Sequence, residues 1–131
     1  DGGNNFYASS FVGGNGLSNN FNGAKANNSN YEDIVNLTLT KGEWILHGCV
    51  GMTSTAITTA GDVIGGISTT SGNSAAGLTD GVNRSYAGHA GTSGLSASVN
   101  VSGFRATVTT ATQIFYLKMK HDNKPHQRND E

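Results

Sequence analysis

The chain is short of charge, of apolar residues, of proline and of cysteine, and each shortage narrows what it can be. Its single cysteine, Cys49, excludes an intrachain disulfide and any site built from clustered thiolates. One proline and a formal net charge of −1 separate it from disordered chains, whose polarity comes from Pro, Glu and Lys. The same near-neutral charge lacks the electrostatic footprint of a protein for nucleic acid or for an anionic membrane. No apolar run approaches the roughly 18 residues that a spanning helix needs, so no membrane insertion is expected. The opening DGGNN lacks the basic and apolar pattern of a signal peptide.

Charged residues make up 13% of the 131 residues against about 25% in ordinary domains, and apolar residues 35% against roughly 45–50%. In their place stand 19 Gly, 15 Asn, 14 Thr and 13 Ser. All four residue types rank low as helix formers. An all-β chain with uncharged polar faces and many turns remains. The length suits one domain. Its apolar content makes a thin core, which oligomerisation would supplement.

Residues 1–30 read as a Gly/Asn-rich lead-in with one short strand over 6–12, residues 31–120 as the β domain, and residues 121–131 as a charged tail. From Ile34 the alternation is clear: Val35, Leu37 and Leu39 share one face, and Asn36, Thr38 and Thr40 the other. Lys41-Gly42 reads as a turn. In the next run Trp44, Leu46, Val50 and Met52 oppose Ile45, His47, Cys49 and Thr53, bulk on both sides that predicts a strand covered on both faces. Asp62–Thr69 is a short strand with two central glycines, which calls for a bulge or a close approach. Residues 71–94 read mostly as loop, with a hairpin signal at Thr79–Val82. Leu95, Ala97, Val99 and Val101 alternate with Ser96, Ser98, Asn100 and Ser102. Gly103 then shifts the phase to Phe104, Ala106 and Val108. In the last strand Phe115, Leu117 and Met119 oppose Ile114, Tyr116 and Lys118. Six to eight strands at this spacing predict an antiparallel β-sandwich of jelly-roll type.

Charge is unevenly placed. Between Trp44 and Leu117 the only formal charges are Asp62, Asp80, Arg84 and Arg105, while the last 14 residues hold seven. So bare a middle predicts that part of the surface packs against other copies of the chain.

Signs of catalysis are missing. There is no G-x-S-x-G elbow, no convergent carboxylate pair and no glycine loop opening a helix. His47 and Cys49 lie on one strand face, but no second ligand pair has metal spacing, and an interior histidine beside a small buried cysteine is the expectation. His121 and His126 flank Asp122 in the tail and read as solvated. No enzyme, no metal and no cofactor is predicted. The stretch Asp80–Gly91 alone combines loop composition with varied functional groups. Asn83, Arg84, Tyr86 and His89 offer an amide, a planar donor fork, an aromatic platform and a titratable ring, a mixture suited to sugar recognition.

NLTLTKGEWILHGCVGM resembles a pattern of phage tail-fibre tips and of tumour-necrosis-factor-like and complement-globular-head domains: an alternating strand, a glycine turn, an aromatic and a central strand. Leu37, Leu39, Gly42 and Trp44 occupy those positions. IGGISTTSG (Ile64–Gly72) and TATQIFYLKMK are similar to further stretches of phage fibre tips, so that the resemblance spans roughly residues 31–120. It implies a ten-strand jelly roll that trimerises about a threefold axis, with Phe104, Ala106, Val108 and Tyr116 at the subunit contact. It also implies a virion protein, the distal knob of a fibre or tail needle. Such a knob touches other virion proteins and a host surface glycan or protein receptor, the trimer adding avidity. A capsid decoration protein at a threefold site and a complement-like adhesive head of a bacterial or secreted protein are the alternatives.

Overall fold

A computed structural model describes residues 4–14, 17–22, 30–54, 60–91 and 95–122. These form six strands and no helix: β1 (Asn4–Gly14), β2 (Leu17–Asn22), β3 (Glu32–Ser54), β4 (Gly61–Ser68), β5 (Arg84–His89) and β6 (Leu95–Asp122). All neighbours are antiparallel in one open sheet of order β2-β1-β3-β6-β4-β5.

Two strands set the architecture. β3 (23 residues) and β6 (28 residues) pair from Glu32↔Met119 to Ser54↔Leu95 as one long ribbon. The register shifts between Thr40 and Gly42, where Thr109–Ala111 of β6 are looped out against Lys41. Gly42 takes φ +141°, and the Trp44 indole N–H donates to the Thr40 carbonyl at 2.8 Å, closing the corner. The expected turn at Lys41-Gly42 is therefore a bulge at which both strands bend without reversing.

The bend divides the sheet into two leaves. The first holds β2, β1, β3 from Gly42 onward and β6 up to Val108. The second holds the start of β3, the end of β6, β4 and β5. Their inner faces meet. A Cβ on Gly48 of the first leaf would lie 2.6 Å from Leu117 Cδ1 of the second. One on Gly65 of β4 would lie 2.9 Å from Val50 Cγ2 and 3.1 Å from Val99 Cγ1. Small residues on one leaf thus receive large ones from the other. Between them lies a core that includes Phe6, Phe11, Leu39, Leu46, Val50, Met52, Val63, Ile67, Leu117 and Met119.

The alternation read from the sequence holds through both long strands. Val35, Leu37 and Leu39 are buried while Asn36, Thr38 and Thr40 are exposed. The two glycines of β4 separate by face: Gly65 points into the core, and Gly66 points outward, beneath Leu78. Three expectations change. Residues 4–14 and 17–22 of the lead-in are two paired antiparallel strands of the sheet, the stretch Arg84–His89 is an edge strand, and β6 extends to Asp122. The strand around His47 is central, but in this chain its outward face is open, with Ile45 51% exposed. His47 is likewise exposed, and its Nδ1 accepts the Gly103 N–H at 3.0 Å, serving the donor that the Gly103 bulge leaves without a rung. His126 lies outside the described residues.

Candidate functional site

The outer face of the β6–β4–β5 leaf is where the charge collects. Along β4, Val63, Gly65 and Ile67 face the core, so alternation turns Asp62, Ile64, Gly66 and Ser68 outward. Loop 69–83 lies over this outer face. Ser68 Oγ donates to the Ala76 carbonyl at 3.0 Å, accepts the Thr70 N–H at 3.0 Å, and anchors both sides of the loop.

Lys118 is the main tether. Its side chain is 0% exposed, and its ammonium donates to Asp33 Oδ1 (2.7 Å), the Thr70 carbonyl (2.9 Å) and the Gly72 carbonyl (2.7 Å). Three donors meet three acceptors, which is what makes a buried lysine tolerable. The second oxygen of Asp33 accepts the Gly72 N–H at 2.8 Å, so one carboxylate bridges the β6 lysine and the loop backbone. The Tyr31 N–H adds a bond to the Asn73 carbonyl at 3.3 Å.

Asn83 holds the other end of the loop. Its amide donates to the carbonyls of Ile67 (2.8 Å) and Gly77 (2.7 Å), and its oxygen accepts the Thr79 N–H at 2.7 Å. At 6% exposure it is an internal brace, which corrects its expected place among ligand-facing groups.

Next to it, Arg84 and Tyr86 point outward together. Arg84 Nε donates to Asp80 Oδ1 at 2.5 Å, its Nη1 to the Tyr31 hydroxyl at 3.4 Å, and its guanidinium lies 5.7 Å from the Tyr86 ring centre. Burial works against the Arg84 charge, but the bonds to Asp80 and Tyr31 outweigh it and hold the group above its ordinary value. Burial raises both phenols, Tyr31 and Tyr86, against the lowering effect of Arg84, so each keeps its O–H at neutral pH. Lys120 stands 5.6 Å from the Tyr31 ring centre and 3.5 Å from Asp122 Oδ1.

Beside Tyr31 opens a cleft of about 540 Å³ lined by Asn30, Tyr31, Glu32, Asp33, Gly72 and Asn73. Tyr31 is thus shared between the cleft wall and the Arg84 cluster. The arrangement is suited to non-covalent recognition, with exposed polar side chains beside a braced loop on a sheet.

His89 leaves the expected group. Two β5 residues on from Ala87, which packs on the core, it points to the inner face, away from Arg84 and Tyr86. There it meets His121 of β6, expected in the tail and found only 2% exposed. The expected subunit-contact residues also separate. Ala106 and Val108 are buried in the chain's own core and Phe104 packs against it, because the Gly103 bulge returns the apolar set to the interior. Tyr116 is half-buried on the outer face of the other leaf. Among the described residues no three His, Cys, Asp or Glu side chains converge as metal ligands.

Tyr31, Asp33, Asp80 and Lys118 were not legible as site residues. Their partners come from other strands, and the one local signal was the i, i+4 spacing of Asp80 and Arg84. No family model matches the chain, and neither a curated protein nor a solved structure is significantly similar to it.

Proposed function

We propose that the chain is the tip domain of a bacteriophage fibre or tail needle, exposed on the virion. In this reading it assembles as a homotrimer of jelly-roll sandwiches and binds a host surface glycan or protein receptor without catalysing a reaction. The observation that carries the proposal is the contrast between the two outer faces. The second leaf presents Asp80, Arg84, Lys120, Asp122, Tyr86 and a cleft on a braced loop. The first leaf presents Ile45, His47, Cys49 and Thr53 beside Ser96, Ser98 and Asn100, and Glu43 and Arg105 are its only charged side chains among the described residues beyond the Lys41 corner. A nearly uncharged sheet face fits contact with further copies, and a polar, clefted face fits recognition. Three copies would multiply a weak single-site affinity.

The test has two parts. Light scattering at micromolar concentration is expected to give three chains per particle, and Ile45→Asp to give one. Labelled protein is expected to bind whole bacterial cells of a species panel and to ignore empty capsids. Binding to capsids with no binding to cells would replace the tip reading with that of a decoration protein.

A further inference from the structure

We propose that the His89–His121 contact is an acid-released latch on β5, so that the face carrying Arg84 and Tyr86 binds at neutral pH and lets go in acid. This rests on the host-attachment reading and adds the control of its recognition strand.

The argument starts from the two faces of β5. Alternation turns Arg84 and Tyr86 outward, and Ala87 and His89 toward the core. Among the described residues β4 is the only strand paired with β5, which forms the edge of the sheet. Its two ends are held differently. At the Arg84 end, Asn83 bonds Ile67, Gly77 and Thr79, and Arg84 pairs with Asp80. At the other end His89 reaches over Gly61, its partner on β4, and its Nε2 meets that of His121 at 2.9 Å. Gly61 has no side chain to stand between the rings. Ser85, Ala87 and Gly88 along the strand are small and bury little surface. Fraying therefore starts at His89, and the imidazole bond governs it.

Protons act on that bond directly. An N–H···N contact needs a lone pair on one side, so at most one ring is charged while it lasts. Once both are charged, two donors and two like charges face each other, with His121 only 2% exposed to water. The closed strand thus resists protons, and burial already draws His121 below its ordinary value. The open strand accepts them near about pH 6.5. Each extra proton bound on opening favours the open form about tenfold per pH unit below that value.

Neighbouring charges leave this balance in place. On β6, Asp122 favours the imidazolium but also lies 3.5 Å from the Lys120 ammonium. Asp62 of β4 stands in the row of Asp122, turned outward. Arg84 and Tyr86 of β5 face outward too. Across the core, the ionisable side chains of the first leaf among the described residues are Tyr7, Glu43, His47, Cys49 and Arg105. All five lie on its outer surface.

Opening from His89 reaches Tyr86 before Arg84. The Tyr86 ring then leaves the guanidinium that lies 5.7 Å from its centre, and the paired platform on the outer face is lost.

Hydrogen exchange on the full chain, with protection referred to the intrinsic rate at each pH, tests the latch. The β5 amides that pair with β4 are expected to lose protection at least about tenfold between pH 7.5 and 5. Val50 and Leu117 are expected to stay at least about 100-fold better protected, which makes the opening local. His89→Gln should reduce the change and His121→Gln should bring it below about threefold, while His126→Gln in the tail should leave it as in wild type. The latch is overturned by β5 protection that ignores pH, or that equals Val50 at both pH values. It is also overturned if the pH effect persists in both strand variants or disappears in His126→Gln. Labelled protein on the bacterial cells of the panel separates the two readings. Binding is expected to fall at least about tenfold at pH 5, and to fall less in His89→Gln. Full binding at pH 5 with β5 open overturns the control of recognition. No cell bound at pH 7.5, with exchange as expected, defeats host attachment alone.

Discussion

His89 and His121 meet nitrogen to nitrogen: their Nε2 atoms are 2.9 Å apart and their ring centres 5.0 Å apart, across β4 on the inner face of the sheet. Only one hydrogen fits between two nitrogens at that distance. His89 Nδ1 lies 2.9 Å from the Ala90 carbonyl and so carries a hydrogen, which leaves its Nε2 to accept from His121 Nε2–H. That pattern needs at least one of the two rings to be neutral, because two imidazolium rings would leave no acceptor between them.

Acid should therefore weaken the fold. Burial, and after it the His89 ring, pull the His121 value below its usual one, with Asp122 acting in the opposite sense. In the unfolded chain an imidazole titrates near about 6.5. The stability that comes from keeping His121 neutral is fully present above that pH and is lost as the pH falls toward the lower folded value. We expect the melting temperature to drop between pH 7.5 and 5, and the drop to shrink in His89→Gln and again in His121→Gln. Parallel pH profiles for wild type and both variants would contradict this.

Lys118→Met keeps the length of the side chain and removes its charge. It leaves Asp33 with one partner and the Thr70 and Gly72 carbonyls without their ammonium donor. Breaking a buried pair from one side usually costs about 3–5 kcal/mol; with Asp33 27% exposed, a loss nearer about 2–3 kcal/mol is expected. Urea unfolding measures the loss. Hydrogen exchange should show it first as faster exchange of the Gly72 amide.

The two leaves meet too closely for an extra methyl at Gly65. An alanine Cβ there lies 2.9 Å from Val50 and 3.1 Å from Val99, stiff side chains with little room to turn. Gly65→Ala should cost about 1–3 kcal/mol through overpacking. Gly88→Ala on the neighbouring strand, where the nearest atom is 3.5 Å away, should fall within about 0.5 kcal/mol of wild type. Equal effects at the two positions would mean that the leaves do not interlock at β4.

Arg84, Tyr86 and His89 are near in sequence but separate in role. Arg84→Ala with Tyr86→Ala removes the outward cluster, and we expect it to reduce cell binding at least about tenfold, in line with the loss of an Arg and an aromatic from a contact. His89→Gln should leave binding at neutral pH unchanged and alter only the pH profile. Loss of binding in His89→Gln with retained melting behaviour would put the recognition face elsewhere.

What could be read from the sequence follows the strength of local pattern. Val35-Leu37-Leu39 and Phe115-Leu117-Met119 sit in long strands with one face on the core, so a period of two is imposed on them and visible. β2 and β5 are short edge strands of small and polar residues, and nothing in LSNNFN or RSYAGH separates them from loop. Glycine at 42 and 103 marks a change of direction, but whether the chain reverses or bulges depends on a partner strand far along the chain. The site was half legible for the same reason. Arg84 and Tyr86 announce themselves by type, whereas the burial of Lys118 and Asn83 is decided by a loop folding over them, and the meeting of His89 with His121 by two strands that β4 separates.

The bent ribbon of β3 and β6 also bears on how fast the chain acquires its shape. Its nearest rung joins Ser54 to Leu95 and its farthest joins Glu32 to Met119, with β4 and β5 inside the intervening segment. No rung is a local contact, so a long loop must close before the ladder returns any energy. Folding on the millisecond-to-second scale of high-contact-order β proteins is the expected result. During that time the Ser/Thr-rich faces and unpaired edges of both long strands stay open to neighbouring chains, which makes the order of zipping and assembly a property that selection can act on.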